Sequence, residues 1–138
     1  MPLQLDIVTP EKKIFSDTVE NVYLPGADGE LGILPMHSCL VTALKPGELR
    51  YVYEGKEVIL AIGSGFAEVT QTKVVVLTDM ALGEGEIDVH KAEEAIRRAE
   101  EKLKSVEHSM DSEEVAYLQG IIAKSTVALH VKLNHGRI

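Results

Sequence analysis

The hydrophobic period changes once along the chain, and this change constrains the fold more than any other feature. In LQLDIV (residues 3–8) apolar and polar side chains alternate, which is typical of a strand with one buried face. From Val89 onward, apolar residues recur every three or four positions, as in an amphipathic helix. The change falls within residues 83–88, so we predict a β domain over residues 1–86 and a helical domain over residues 87–138.

The first domain contains a series of short candidate strands separated by glycine- and proline-containing turns. Two tight hairpins are predicted, around Glu54-Gly55 and around Gln71-Thr72. Strands of this length and spacing favour an antiparallel β-sandwich or barrel. The predicted strands are residues 3–7, 21–24, 31–34, 40–44, 49–53, 57–62, 66–70 and 73–78.

The second domain is predicted to be an antiparallel hairpin of two helices. Asp88 is a good N-cap for the first helix, and Asp111 is a good N-cap for the second, which runs to about Leu133. The second helix contains Gly120 and the weak helix formers of residues 125–127. Two interpretations remain open: an ordinary imperfect helix, or a helix that can leave its partner and refold elsewhere.

Charge excludes some partners and is unevenly distributed. The net charge is −8 and aromatic residues are few, which argues against nucleic-acid binding. Residues 120–138 carry +3 from Lys124, Lys132 and Arg137, so the rest of the chain carries −11. This basic end indicates either an acidic docking partner or pairing with the acidic first helix.

No group of residues indicates catalysis. Asp28, Glu30 and His37 lie close in sequence, but a metal site needs three or four converging ligands, so we predict no metal and no catalytic residue. Cys39, the single cysteine, lies in an apolar run and is expected to be a buried thiol. The sequence lacks an apolar stretch of about 20 residues, and its N-terminal residues do not resemble a signal peptide, so no direct membrane insertion is expected.

Three segments together indicate a family: VTPEKKIFS (residues 8–16), VYLPGADGELGILPMH (22–37) and LKPGELR (44–50). They closely resemble the epsilon subunits of bacterial F-type ATP synthases, and the resemblance extends over essentially the whole chain. It implies a non-catalytic central-stalk (rotor) subunit of a proton-translocating enzyme, which couples the c-ring to the catalytic head.

The resemblance also implies partners and contact residues. The β domain would bind the gamma subunit and the c-ring, with Glu30 and His37 in the loop that faces the c-ring. The helical hairpin would be a regulatory arm that inhibits ATP hydrolysis when it extends towards the alpha and beta catalytic subunits. Lys124, Lys132 and Arg137 would then meet an acidic region. The expected location is peripheral, on the cytoplasmic face of the bacterial inner membrane.

Some members of this family bind ATP on the folded hairpin through an Ile/Leu-Asp-x-x-Arg-Ala motif. The matching residues here are Ile87, Asp88, Lys91 and Ala92, with lysine in place of the motif's arginine. Lysine keeps the charge but lacks the planar fork that binds phosphate with two hydrogen bonds. We therefore expect no cofactor, and ATP only as a weak regulatory ligand or not at all.

Two other classes of protein are compatible with parts of the sequence. An adaptor could bind a coiled-coil partner through the heptad seam of the first helix, but it gives no reason for the composition of residues 28–37. A small metal-dependent enzyme would require near-stoichiometric zinc or iron in the purified protein. Co-purification with a gamma subunit distinguishes the rotor subunit from both.

Overall fold

The computed structural model describes residues 3–34, 39–105 and 111–135. A 3-10 turn at Glu84–Glu86 separates a strand-rich part from two helices, α1 (Val89–Ser105) and α2 (Ser112–His135). The strands are β1 (Leu3–Val8), β2 (Lys13–Val19), β3 (Asn21–Gly26), β4 (Gly29–Ile33), β5 (Leu40–Leu44), β6 (Gly47–Tyr53), β7 (Lys56–Ile62), β8 (Gly65–Val69), β9 (Lys73–Thr78) and β10 (Ala81–Gly83).

The strands form one sheet that curves around an aliphatic core. The order is β10-β7-β6-β3-β5-β8-β9-β1-β2, and β4 pairs with β3 beside this path. The predicted β-sandwich or barrel followed by a helical hairpin is therefore confirmed. One contact differs from an all-antiparallel sheet, because β1 pairs with β9 in parallel. The fully buried large side chains of the β core are Leu3, Leu5, Ile7, Val22, Leu24, Ile33, Leu49, Ile62, Val69, Val74 and Val76.

Local sequence explains most of the strands. β1 alternates between buried and half-buried residues along its whole length, as its period-two pattern predicts. In the β6–β7 hairpin, Glu54 and Gly55 have φ values of 51° and 78°, the left-handed pair that a tight two-residue turn requires. The sequence did not predict β2, in which the half-buried Ile14 and Phe15 are consecutive, or the three-residue β10.

α2 covers the outer face of β7. Leu60, Ala61 and Ile62 are consecutive and all buried, because Leu60 and Ile62 belong to the sheet core while Ala61 packs in a second cluster. This second cluster, which we call the arm cluster, consists of Ala61, Ile87, Ala128 and Val131. The helical hairpin is thus folded down on the β domain through its second helix.

Both predicted helix caps are present. The Asp88 carboxylate accepts a hydrogen bond from the Lys91 backbone N–H (3.1 Å), and the Asp111 carboxylate accepts one from the Glu113 backbone N–H (3.0 Å). α2 is continuous through Gly120, so the weak helix formers do not interrupt it. Neither of these helices, in the part of the chain that the structure describes, is long and apolar enough to span a membrane.

Cys39 is exposed, so the prediction of a buried thiol is wrong. The reason is its position: Cys39 comes directly before β5, whose first residue, Leu40, is half-buried. The apolar residues after Cys39 therefore say little about the environment of Cys39 itself.

The outer face of β1 carries a carboxylate whose ionisation stabilises the fold. Asp6 accepts hydrogen bonds from the Gln4 side-chain amide (2.9 Å) and the Ser16 hydroxyl (2.7 Å), and Lys73 Nζ lies 3.3 Å away. These hydrogen bonds, with a smaller contribution from Lys73, lower the pKa of Asp6 from 3.8 to about 2. The stabilisation is complete above the unfolded-state pKa and is lost as the pH falls through the folded-state pKa.

We predict that the Asp6→Asn variant is less stable than the wild type at neutral pH and less sensitive to acid. Because the Ser16 hydrogen bond is exposed and Lys73 is half exposed, solvent weakens these contacts, and the wild-type free energy of unfolding should fall by only about 1 kcal/mol on this account between about pH 5 and pH 2. Urea unfolding across this range measures the effect. The pKa of Asp17 is also lowered, so a smaller dependence of the same sign should remain in the variant. Parallel curves for the two proteins would contradict this assignment.

Candidate functional site

Glu30 lies at the tip of the β3–β4 hairpin. The turn closes where Gly26 pairs with Gly29, and Glu30 pairs with Pro25 on the opposite strand. Gly29 has a φ of 135°, a conformation that side chains rarely adopt, so glycine is required there. The Glu30 side chain is 55% exposed, so its carboxylate is accessible to a partner. His37, the second predicted contact residue of this loop, lies outside the described residues.

The Glu30 carboxylate has a partner that the sequence analysis missed. Arg50 Nη2, on β6, lies 3.0 Å from each of the two carboxylate oxygens of Glu30. The Arg50 guanidinium carbon also lies 4.8 Å from the ring centroid of Tyr23, on β3. The two charged residues are 20 positions apart in sequence, so their contact follows from the strand order and not from any local spacing.

The helical hairpin of α1 and α2, which we call the arm, makes polar contacts with the β domain. Lys132 Nζ lies 2.9 Å from Glu84 Oε1, and Lys124 Nζ lies 3.5 Å from Asp79 Oδ2. His130 Nε2 lies 3.4 Å from Glu48 Oε1. We refer to the Lys124–Asp79 and Lys132–Glu84 pairs as the arm ion pairs.

The alternative that the basic residues pair with α1 does not hold for Lys124 and Lys132. Their acidic partners lie after β9 and in the 3-10 turn, because the β domain lies against this part of α2. The α1 acid Glu94 instead pairs with Arg98 of its own helix, at 2.7 Å. Arg137 lies outside the described residues.

The four residues of the nucleotide motif come together at one cleft. Ile87, Asp88, Lys91 and Ala92 line a cavity of about 280 Å³ between the start of α1 and the middle of α2, where Ser125 also lines it. Ile87 and Ala92 are buried or nearly so, and the Asp88 carboxylate is engaged as the cap of α1. The motif therefore has structural roles in the hairpin whether or not a nucleotide binds.

The charges of the residues that line this cleft do not favour the binding of a triphosphate. Of its described lining residues, Lys91 is the single cation, and Glu86 and Asp88 are acids. Lys124 and Lys132 of α2 are held by the arm ion pairs, and neither lines the cleft. Polyphosphate binding normally requires several converging cations or N–H donors.

Metal ligands do not converge in the part of the chain that the structure describes, where no group of three or more His, Cys, Asp and Glu side chains could hold an ion. Asp28 is exposed at the hairpin turn, and Glu30 is paired with Arg50. His37 lies outside the described residues.

The fold defines a two-part protein, a β-sandwich that carries a folded-down helical hairpin on its outer face. Two family models match it: the beta-sandwich domain of the ATP synthase Delta/Epsilon chain over residues 2–84, and the long alpha-helix domain of the same chain over residues 86–117. This chain belongs to the ATP synthase Delta/Epsilon chain family. The resemblance read from the sequence is thereby confirmed, and as a member of this family the chain is a non-catalytic ATP synthase subunit.

Curated relatives and solved structures agree with this family. The ATP synthase epsilon chain of Desulforamulus reducens is 45% identical over 95% of this chain and 92% of its own length. The ATP synthase epsilon chain of Herpetosiphon aurantiacus is 40% identical over 99% of this chain and 99% of its own length. A chain of the Euglena gracilis mitochondrial ATP synthase, in a structure of OSCP, F1 and c-ring, matches with a TM-score of 0.75 and 26% identity over 96% of this chain and 81% of that chain.

A more distant structure supports the fold alone. A chain from the central stalk and c-ring of the Tetrahymena thermophila mitochondrial ATP synthase matches with a TM-score of 0.61 and 18% identity over 96% of both chains.

We predict that neutralising the acids of the arm ion pairs loosens α2 while the β domain stays folded. In an Asp79→Asn/Glu84→Gln variant, backbone amides of α2 should exchange with solvent about two- to thirtyfold faster, because each partly exposed pair contributes about 0.2–1 kcal/mol. Amide hydrogen exchange of the full chain measures this.

The matched control for this double variant is Glu68→Gln, an acid-to-amide change at an exposed position on β8. It should leave exchange in α2 unchanged. Equal exchange rates in the wild type and the double variant would show that the arm ion pairs do not hold the helix.

Proposed function

We propose that this chain is a central-stalk (rotor) subunit of a bacterial, proton-translocating F-type ATP synthase, and that its helices form an arm that inhibits ATP hydrolysis when extended. The observation that carries the proposal is the weak attachment of the arm. Two of the four buried members of the arm cluster are alanines, the other apolar residues packed against it are only partly buried, and both arm ion pairs are partly exposed. A helix attached in this way can have a second arrangement within a few kcal/mol.

The two structural parts of the chain have different proposed functions. We propose that residues 1–86 are the rotor-binding domain and residues 87–138 the regulatory arm. Continuous pairing of nine strands in one path supports a rigid β domain. The arm is joined to it through the 3-10 turn at Glu84–Glu86 and rests on it mainly through α2.

The β3–β4 hairpin, with Glu30, and the segment that follows it in sequence, with His37, are the proposed contact with the c-ring. Support comes from the exposure of Glu30 at a glycine-closed turn, where the backbone can approach a partner closely. This part of the β domain is formed by different strands from the face of β7 that the arm covers.

The gamma subunit is the proposed partner of a second surface on the β domain. Val41, Phe66 and Leu77 are 72%, 60% and 53% exposed on the adjacent strands β5, β8 and β9. Phe66 and Leu77 are directly opposite each other across β8 and β9, so they form a continuous apolar surface. Exposed apolar surface of this kind is typical of protein–protein contacts.

In the extended state the arm would contact the alpha and beta subunits. Release of α2 would free Lys124 and Lys132 from their acidic partners and make them, with Arg137, available to acidic side chains of the catalytic head. The same two lysines therefore have competing partners in the two states. The proposed location of the assembled protein is peripheral, at the cytoplasmic face of the bacterial inner membrane.

We predict that removing the arm increases ATP hydrolysis. Assembled enzyme that contains a chain ending at Glu86 should hydrolyse ATP severalfold faster than enzyme with the full chain, because the inhibitory contact is lost. Steady-state hydrolysis measures the rate. ATP-driven ion pumping is the control, since the β domain and its partner surfaces are intact in the shortened chain. Equal rates would contradict an inhibitory role for the arm.

We predict that ATP binds to the isolated full-length chain weakly or not at all, because the cleft offers one cation and two acids. Isothermal titration calorimetry measures the affinity. A Lys91→Arg variant should bind about two- to tenfold more tightly, because arginine restores a bidentate phosphate contact. Submillimolar binding by the wild type that is lost in both Asp88→Ala and Lys91→Ala would contradict the prediction.

A further inference from the structure

Arg50 reaches Glu30 across an intervening strand. In the register of the sheet, Tyr23 on β3 is opposite Arg50 on β6, and it is also opposite Gly32 on β4. Glu30 lies two residues before Gly32 on the same face of β4, since side chains of a strand alternate. The Arg50 side chain therefore has to cross the ring of Tyr23 to contact the Glu30 carboxylate.

The Tyr23 ring supports this crossing. The guanidinium carbon of Arg50 lies 4.8 Å from the ring centroid, within the range of an attractive cation–π contact. A Cβ on Gly32 would lie 3.0 Å from Cε1 and 3.3 Å from Cδ1 of Tyr23, closer than ordinary contact. The missing side chain at residue 32 thus leaves room for the ring beneath the arginine.

The guanidinium group of Arg50 restrains the Glu30 carboxylate. Arg50 Nη2 is 3.0 Å from both Oε1 and Oε2, while the carboxylate stays accessible on its other side. Arg50 is the more buried of the two, with its side chain 30% exposed against 55% for Glu30. A side chain already held in one orientation loses less conformational entropy when a partner binds.

We propose that Arg50 is a positioning residue for the Glu30 contact: it holds the carboxylate in one orientation for a hydrogen-bond donor of the partner. A carboxylate that is already paired with a guanidinium still accepts hydrogen bonds on its accessible lone pairs. This inference rests on the proposed contact of Glu30 with the c-ring.

The test is a double-mutant cycle in the assembled enzyme, with Glu30→Gln, Arg50→Gln and the two combined. The quantity measured is ATP-driven ion pumping divided by ATP hydrolysis. If Arg50 acts through Glu30, each single variant should lower this ratio by a similar factor, about two- to fivefold. The double variant should then be no worse than either single variant. Arg50→Lys should give a ratio between those of the wild type and Arg50→Gln, because an ammonium group keeps the charge but loses the planar contact with the Tyr23 ring.

Three results would overturn the inference, and they differ from one another. An unaffected Arg50→Gln variant would show that Arg50 is not needed. Losses that multiply in the double variant would show that Arg50 acts independently of Glu30. An unaffected Glu30→Gln variant would refute the proposed c-ring contact itself, and the inference with it.

A folding defect is separated from a positioning defect by Glu30→Asp. This variant keeps Arg50, Tyr23 and the negative charge but shortens the acid by one methylene group, so its carboxylate is displaced from Arg50. The positioning role requires it to lower the ratio as Arg50→Gln does, at unchanged thermal stability of the isolated chain. A wild-type ratio for Glu30→Asp would overturn the inference even if Arg50→Gln fails to fold.

Discussion

The packing of α2 on the outer face of β7 is the contact on which the architecture of this chain depends. A strand of a curved antiparallel sheet commonly has one face in water, but β7 ends in three consecutive buried residues. Ala61 can be buried only because Ala128 and Val131 of α2 cover it, together with Ile87 from the segment before α1. Alanine side chains allow the helix to approach the sheet closely but contribute little apolar area themselves. The other apolar residues packed against the arm cluster are only partly buried, so we expect the attachment to be specific without being strong.

The uneven charge distribution of the sequence follows from this contact. An acidic β domain and a basic second helix attract each other where the helix lies down, and the arm ion pairs flank the arm cluster. Partly exposed ion pairs contribute little to stability, but they determine where along the β domain the helix lies. The nucleotide motif belongs to the same arrangement, because Ile87 packs in the arm cluster and Asp88 caps α1.

Local patterns predicted the elements of this fold better than their contacts. The alternation of β1, the two tight turns and the caps at Asp88 and Asp111 depend on neighbouring residues, and the sequence carries them directly. The sequence pattern did not predict β2, because the apolar residues of this strand do not alternate with polar ones. The contact of Arg50 with Glu30 and the partners of Lys124 and Lys132 depend on strand order and on which face of the sheet the arm covers. No spacing in the sequence encodes these contacts, so the roles of the candidate site residues came from the family resemblance and not from their surroundings.

Gly120 supports a second arrangement of the arm. A glycine inside a helix costs about 1 kcal/mol relative to alanine, so its presence normally has a packing reason. In the folded-down arm there is none, because a Cβ at this position would meet no atom within 4 Å. Nor does the backbone require glycine, since Gly120 is helical and lies outside the positive-φ residues of the described chain. Gly120 therefore fits the proposed extended state, in which the close approach that glycine permits would give this residue the packing role that it lacks in the folded-down arm.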